Sequence, residues 1–381
     1  MVMDVMKRLK ERFAPIAKHD PRVNRRRRHL LVDLVVIAVC GVLSGCDSFV
    51  EIERYGRQKL DFFRGFLELP HGIPSHDTFG RVFARLKPEA FQECLWGWLE
   101  SFRESAAGDV IAIDGKTLRH TFDTAAEKTA LHSVSAWSTK DRLTLGQVAV
   151  AAKSNEITAI PQLLKLLNLS GATVTIDAMG CQKDIAAGIR EEQADYVLAL
   201  KGNHEHLHAA VQELFTEHLE SGLAEHGPGY VHRVEQGHGR HEERHVYALP
   251  APSTLPGHAD WKDLRSVVMV ISHRTLRDRE TDNVRFYLSS HLPRARKLST
   301  AIRSHWGIEN TQHWTLDVAF REDERRNRKE HSPENLAVLN RFALSLLQQD
   351  KTTKVGIKCK RNMCGWNDNY LLQILAGQTV N

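Results

Sequence analysis

At Val110 the spacing of apolar residues changes from helical to alternating, and that change constrains the fold more than any other feature of the chain. VIAID, LHSVSAWST and TLGQVAVAA predict three short strands divided by turn residues, notably KDRL after Thr139. A helix at ITAIPQLLKLL comes next, then the strand ATVTID, a helix through Ile185 to Glu192, the strand YVLALKG and the helix NHEHLHAAVQELF. Three strands in a row followed by alternating helices and strands imply one sheet, antiparallel at one side and parallel at the other. Two of the strands close on an aspartate, Asp114 and Asp177. Neighbouring parallel strands would bring both to one edge, where open α/β sheets bind ligands.

That element order is the one expected of an α/β fold with a ribonuclease-H-like core, occupying 106–220 and completed by 293–350. An all-α domain precedes it over 1–105. Ser48 is a plausible helix N-cap there, Phe79, Val82, Phe83 and Leu86 fall at helical intervals, and Pro88 opens a further helix. Between the two core parts, 221–292 reads as a β-rich insertion: YVHRVEQG, RHEERHVYAL, RSVVMVISHR and VRFYLSSH. Residues 351–381 read as a basic tail ending in a short apolar helix at YLLQIL.

The length of 381 residues suffices for two or three domains, and 42% hydrophobic with 26% charged residues is ordinary globular composition. A net charge of +5 excludes a global polycation. Basic residues are concentrated locally instead: Arg22 with Arg25, Arg26, Arg27 and Arg28; Arg325, Arg326, Arg328 and Lys329; Lys351, Lys354, Lys358, Lys360 and Arg361. Such clusters suit a phosphate backbone, or simply face solvent. Six scattered cysteines without a C-x-x-C pair imply a reduced, cytoplasmic protein, and Cys359 with Cys364 lacks a second ligand pair for zinc. The apolar run from Leu34 to Leu43 is too short for a bilayer, which needs about 20 residues, so no membrane role follows.

A third acidic residue, Glu309, lies in IRSHWGIEN, which reads as helix. Two strand-end aspartates completed by a helical glutamate can hold two divalent ions about 4 Å apart, a clamp for the attacking and leaving oxygens of a phosphodiester. Gly115 beside Asp114 would leave room for metal and phosphate, and Lys116 and Arg119 could hold non-bridging oxygens. Each carboxylate has a plainer reading: a turn cap for the aspartates, a surface residue for Glu309. Asp317, Glu322 and Asp323 compete with Glu309 for the third position. A different chemistry is suggested by His204-Glu205-His206-Leu207-His208, which matches the H-E-x-x-H pattern of zinc hydrolases, with Asn203 as N-cap; no third ligand follows at fixed distance, and the chain has 21 histidines. His238, His241 and His245 could be recruited as ligands, although GHGRHEERH reads better as a basic turn and strand touching DNA.

IAIDGKTLR, TIDAMGCQKDIA and HWGIENTQHWTLDVAFREDERRNR, in that order, resemble the DDE transposases of bacterial insertion sequences, and within them the H-repeat-associated (Rhs-element-associated) branch. The resemblance extends over nearly the whole chain, through DPRVNRRRRHLL, IPSHDTFGRVFARL, YVLALKGN, GHGRHEER and GWNDNYLLQIL. It implies Asp114, Asp177 and Glu309 as catalytic ligands of two Mg²⁺ (or Mn²⁺). It also implies metal-dependent nicking of double-stranded DNA at element ends, then in-line attack of the exposed 3′-OH on target DNA, by a homodimer on DNA associated with the nucleoid. Related transposases carry Y-x-x-R-x-x-x-E-x-x-x-x-x-x-K about the glutamate. Here Ile302, His305 and Leu316 stand at the tyrosine, arginine and lysine, so Arg303, His305 or Lys201 would have to supply DNA contacts. A catalytically silent DNA-binding regulator is the alternative outcome of the same ancestry.

Overall fold

The computed structural model describes residues 10–22, 27–103, 105–122, 129–150, 154–222, 227–237, 239–276 and 279–377. Its centre is a nine-stranded mixed sheet. Strands β1 (Val110–Leu118), β2 (Leu131–Ser138) and β3 (Leu143–Ala149) are antiparallel neighbours. Strand β4 (Thr173–Ile176) joins β1 in parallel, and β5 (Asp195–Leu200) joins β4 in parallel. The helices between them are α6 (Glu156–Leu164) and α7 (Lys183–Glu191); α8 (Glu205–Glu220) follows β5. This is the order that the alternation of apolar residues predicts.

The later strands continue the same sheet rather than standing apart. β9 (Arg279–Ser289) pairs antiparallel with β5, and β8 (Ser266–Leu276), β7 (Arg240–Pro250) and β6 (Tyr230–Gly237) follow it outward. The junction is a full ladder, Val197 with Ser289 through Leu200 with Phe286. Period-2 patterning marks a strand but carries no label for its neighbour.

A helical layer precedes the sheet: α1 (Leu31–Leu43), α2 (Phe49–Gln58), α3 (Leu60–Arg64), α4 (His76–Arg85) and α5 (Pro88–Leu99). Helix α1 is buried almost all round, and its carboxylate Asp33 is kept inside by accepting the Leu69 N–H at 3.0 Å. Helix α2 starts with a reciprocal capping box between Ser48 and Glu51. No described helix is long and apolar enough to cross a membrane. A long C-terminal helix, α11 (Ser332–Gln349), lies between this layer and the sheet and is buried along nearly its whole length. Asn335 on it donates to the carbonyls of Phe83 and Leu86 at 2.7 and 2.9 Å, closing the C-terminal end of α4.

The residues read as a basic tail fold into two helices, α12 (Ile357–Trp366) and α13 (Asp368–Ala376). Arg361 is buried: it donates to the carbonyls of Val42, Ala319 and Cys46 and to Asp47. Lys360 donates to the carbonyls of Leu347 and Asp350, and Arg325 pairs with Asp47 at 3.3 Å. These three cations tie helix ends together and present no charge to a partner.

Candidate active site: three carboxylates at the β1–β4 edge

Ile113 pairs with Ile176 in the parallel register of β1 and β4, so Asp114 and Asp177 occupy equivalent next positions on adjacent strands. Parallel neighbours lie about 4.8 Å apart. The two positions differ in one respect from the sequence expectation. Asp177 is at a true strand end, whereas β1 runs on through Leu118, paired with β2, and Asp114 faces Ser135. The turn after Asp177 is held by its own side chain, whose Oδ1 accepts the Met179 N–H at 3.1 Å.

The third carboxylate arrives on a helix whose winding changes at the site. Helix α9 (Ala295–Gly307) passes into a π-helical segment, Ile308–His313, and then into α10 (Trp314–Phe320). Glu309 is the second residue of the widened turn, and π segments of this kind cluster at functional sites. Two contacts fix it. Gln312 is fully buried, donating to Ser135 Oγ at 3.1 Å and accepting from Thr144 Oγ1 at 3.2 Å, which pins the segment to β2 and β3. Gly307 lies against Trp137 so closely that a Cβ there would come within 2.6 Å of the indole. The helix can approach the sheet only because position 307 lacks a side chain.

The electrostatics follow from this crowding. The Asp114 carboxyl is pushed up to about 7, mainly by burial, with the charges of Glu309, Asp177 and Glu156 adding repulsion against the Gly115 N–H, which favours the ionised form. Asp177 and Glu309 line one cavity of about 210 Å³ together with Lys201, His305 and Trp306. Two imidazoles sit among the acids without neutralising them. His313 Nδ1 is 3.5 Å from Asp114 Oδ2, and burial holds its pKa well below the ordinary range. His305 Nδ1 is 3.0 Å from Thr175 Oγ1, and burial takes it down to about 4 although Asp177 pulls the other way. Asp114 and Asp177 are half-buried and Glu309 is exposed, and the three offer carboxylate oxygens, the donors that hard divalent cations take.

The other sequence candidates are distributed unevenly. Lys116 is buried, its ammonium 2.7 Å from both oxygens of Asp317, and Asp323 is 3.9 Å from it. Glu322 is buried against Arg341 at 3.1 Å. Of the four acids that compete for the third position, only Glu309 acts on Asp114. Arg119 is 80% exposed and Lys201 is exposed at the cavity rim. Arg303 pairs with Glu235 at 3.0 Å and lines a second, larger cavity of about 560 Å³ with Arg240, Arg244, Arg274 and Arg285. Arg285, Tyr287, Ile302 and Trp306 border both cavities, so the arginine groove opens onto the carboxylates. Arg25 and Arg26 lie outside the described residues, as does His238; Arg27 is engaged by Asp20 at 3.5 Å, and Arg28 is exposed. Ile302 and Leu316 are buried, so neither substitutes for the tyrosine or lysine of related transposases.

Two expectations change. The space beside Gly115 is taken by protein: a Cβ there would meet the Glu156 carboxylate at 2.0 Å and His132 at 2.8 Å, so the glycine admits that ion pair rather than a ligand. The zinc-hydrolase pattern also fails to assemble. His204 is the residue before α8 and directs Nε2 to the Cys181 carbonyl at 2.6 Å, while the His208 ring lies edge-on to Phe286. Asn203 donates to the Ala178 carbonyl instead of capping the helix. Glu156, His313 and Gln312 were not singled out from sequence. Glu156 comes from an element remote in the chain, whereas Gln312 and His313 follow Glu309 in the same π segment, where nothing in the local pattern shows what they contact.

Residues 105–346 match the model of the transposase DDE domain, and 11–99 match the DDE_Tnp_1-associated model. The chain belongs to the DDE transposase family. It is 38% identical over 381 residues to the H repeat-associated putative transposase YhhI of Escherichia coli (strain K12), covering 99% of this chain and 100% of that protein. It is 39% identical over 361 residues to the putative transposase YncI of Escherichia coli O157:H7, covering 94% and 92%. The two family matches between them, and each of the two relatives, cover both the helical layer and the sheet of this DDE transposase.

Proposed function

We propose that the chain is a transposase that cuts and joins DNA at the ends of an insertion sequence, with a ribonuclease-H-like core, and that Asp114, Asp177 and Glu309 are its catalytic carboxylates. The observation that carries the reading is the arrangement of the three acids. Two come from matched positions on adjacent parallel strands and one from a π turn pinned over them, with burial first and the neighbouring acids second raising Asp114 to about 7. A protein accepts that destabilisation where a cation relieves it. The three carboxylates would hold Mg²⁺ or Mn²⁺, which when bound supplies an acidic water or 3′-OH and charge stabilisation on the departing oxygen.

This chain's own residues do the rest. Asp114 is fixed by the β1 ladder and Asp177 by its turn, so both present oxygens without reorganisation. Gln312 holds Glu309 in register with them. His313 and His305, kept neutral, crowd water from the acids without competing as cations. Double-stranded DNA would run along the arginine groove, where Arg303, Arg274 and Arg285 face its phosphates, and reach the carboxylates past Lys201, with the exposed Arg119 as a further phosphate contact. Lys116 acts from inside, orienting Asp317, and Arg28 belongs to a separate basic surface on the helical domain. Two element ends cut together call for a homodimer on DNA, and DNA as substrate places the protein at the nucleoid in the cytoplasm.

The test is cleavage of the element's own end sequence by the full chain, with Mg²⁺ against EDTA. Cleavage that needs Mg²⁺ and disappears in Asp177→Ala while end binding persists supports the reading. Binding with no cleavage in either protein would favour a silent regulator.

A further inference from the structure

The outer hairpin carries a second set of metal-ligating side chains, remote from the carboxylates. His232 on β6 faces His245 on β7 in the antiparallel register, and Glu243, two residues before His245, lies on the same face of the sheet. The two imidazoles stack at 4.5 Å with 20° between their planes, and Glu243 Oε2 is 3.8 Å from His232 Nε2. One donor atom from each of the three lies within 4.8 Å of the others, and the group is the sole one of its kind among the described residues. His232 and Glu243 are each about two-fifths exposed, which gives an ion a path in.

The surroundings orient these donors. The Tyr230 hydroxyl lies 2.9 Å from His245 Nδ1, and His241 Nε2 lies 3.0 Å from Glu243 Oε1. On the next strand the His273 ring stands edge-on to His245 at 5.9 Å, with its Nδ1 2.7 Å from Asp282 Oδ1. Partners of that kind fix ring orientation around bound metals and raise ligand basicity. The neighbouring residues Arg240, Glu242 and Arg244 alternate to the other face and line the arginine groove.

We propose that His232, His245 and Glu243 form a binding site for a transition-metal ion of the zinc class, which clips β6 to β7. Two imidazoles and one carboxylate are a donor set for Zn²⁺ with a fourth position open to water, and they discriminate against Mg²⁺, which takes oxygen ligands. The ion cross-links the outermost strand of the sheet, whose side chains are mostly solvent-facing, and so stiffens the wall of the groove behind it. The inference stands independently of the nuclease reading.

The test is calorimetric titration of ZnCl₂ into EDTA-stripped full-length protein with millimolar Mg²⁺ present, so that the carboxylates at 114, 177 and 309 are already engaged. One Zn²⁺ per chain is expected. His232→Ala and His245→Ala should each weaken it by well over ten-fold, and Tyr230→Phe on the order of ten-fold through loss of ring orientation. Asp177→Ala should leave it unchanged. Zinc should also raise the melting temperature of the native chain and leave that of the folded His232→Ala/His245→Ala double variant unmoved. Zinc binding that survives both histidine substitutions, or that vanishes in Asp177→Ala, overturns the proposal. Co²⁺ substitution gives a second readout: a tetrahedral visible band present in the native chain and absent in Glu243→Gln supports the site, and its persistence in that variant contradicts it.

Discussion

Two ionic clusters lie near the π-containing helix, and the protein treats them in contrary ways. At the sheet edge, Asp114, Asp177 and Glu309 bring like charges together, and beside them stand two imidazoles that burial keeps neutral. In the other, Glu322 is fully buried but accepts from Asn340 at 3.2 Å and Arg341 at 3.1 Å, and Asp47 is shared by Arg325 and Arg361. The second cluster pairs its acids with guanidinium groups of the fold itself and serves as scaffold. The first, on the function proposed above, takes its cation from outside. Charge that a fold gathers and leaves unneutralised is what distinguishes a site from an internal strut.

The contrast can be broken from the carboxylate side first. Asp177→Ala or Glu309→Gln should reduce Mg²⁺-dependent end cleavage on the order of a thousand-fold or more, because the acids act as a unit. Glu309→Gln should not lower the urea midpoint of the metal-free chain, since it removes repulsion, and Asp177→Ala should lower it by no more than the loss of its turn hydrogen bond, about 1 kcal/mol. A large loss of stability in these variants would mean that the acids are structural. From the other side, Arg341→Met strands the Glu322 charge and should cost about 3–5 kcal/mol in urea unfolding, with most of it recovered in the Glu322→Leu/Arg341→Met pair. A change of less than about 1 kcal/mol would show that water reaches Glu322 and that the two clusters are alike.

Two smaller effects sharpen the geometry between them. Gly307→Ala places a methyl 2.6 Å from Trp137, so the helix must lift; about 1–3 kcal/mol of thermal stability should go, together with most of the cleavage activity. Unchanged activity would show that the depth of this contact does not set Glu309. The smallest effect concerns the groove wall. Arg303 and Arg244 bring Glu235 down to about 2 from an ordinary 4.5, so its contribution is present above pH 4.5 and is lost as pH falls toward 2. The Glu235 side chain is 36% exposed, so screening limits this to about 0.2–1 kcal/mol. Glu235→Gln should flatten the stability profile between those pH values and leave it unaltered at pH 7 apart from that offset; an equally steep acid limb in the variant would assign the slope to other carboxylates.

The sequence made the strand half of the site legible because alternating β-branched residues ending on aspartate leave few other readings, and Ser48, Pro88 and the order of β1–β5 follow from equally local rules. Glu309 was reached by resemblance rather than periodicity: a π turn breaks the 3.6-residue rhythm, and its anchor Gln312 answers to Ser135 and Thr144, more than 160 residues away. Basic runs misled for a similar reason. Composition shows that Arg325, Lys360 and Arg361 are cations but not that each is buried against carbonyls or Asp47. The pairing of β9 with β5 is equally hidden, since a strand declares its alternation and not its neighbour.

Crystals of the chain with its end DNA and Mn²⁺, measured at the manganese edge, test the central claim most directly. Two anomalous peaks about 4 Å apart, between the side chains of Asp114, Asp177 and Glu309, are the expected result. Manganese bound elsewhere while those three carboxylates contact only water or each other would contradict it.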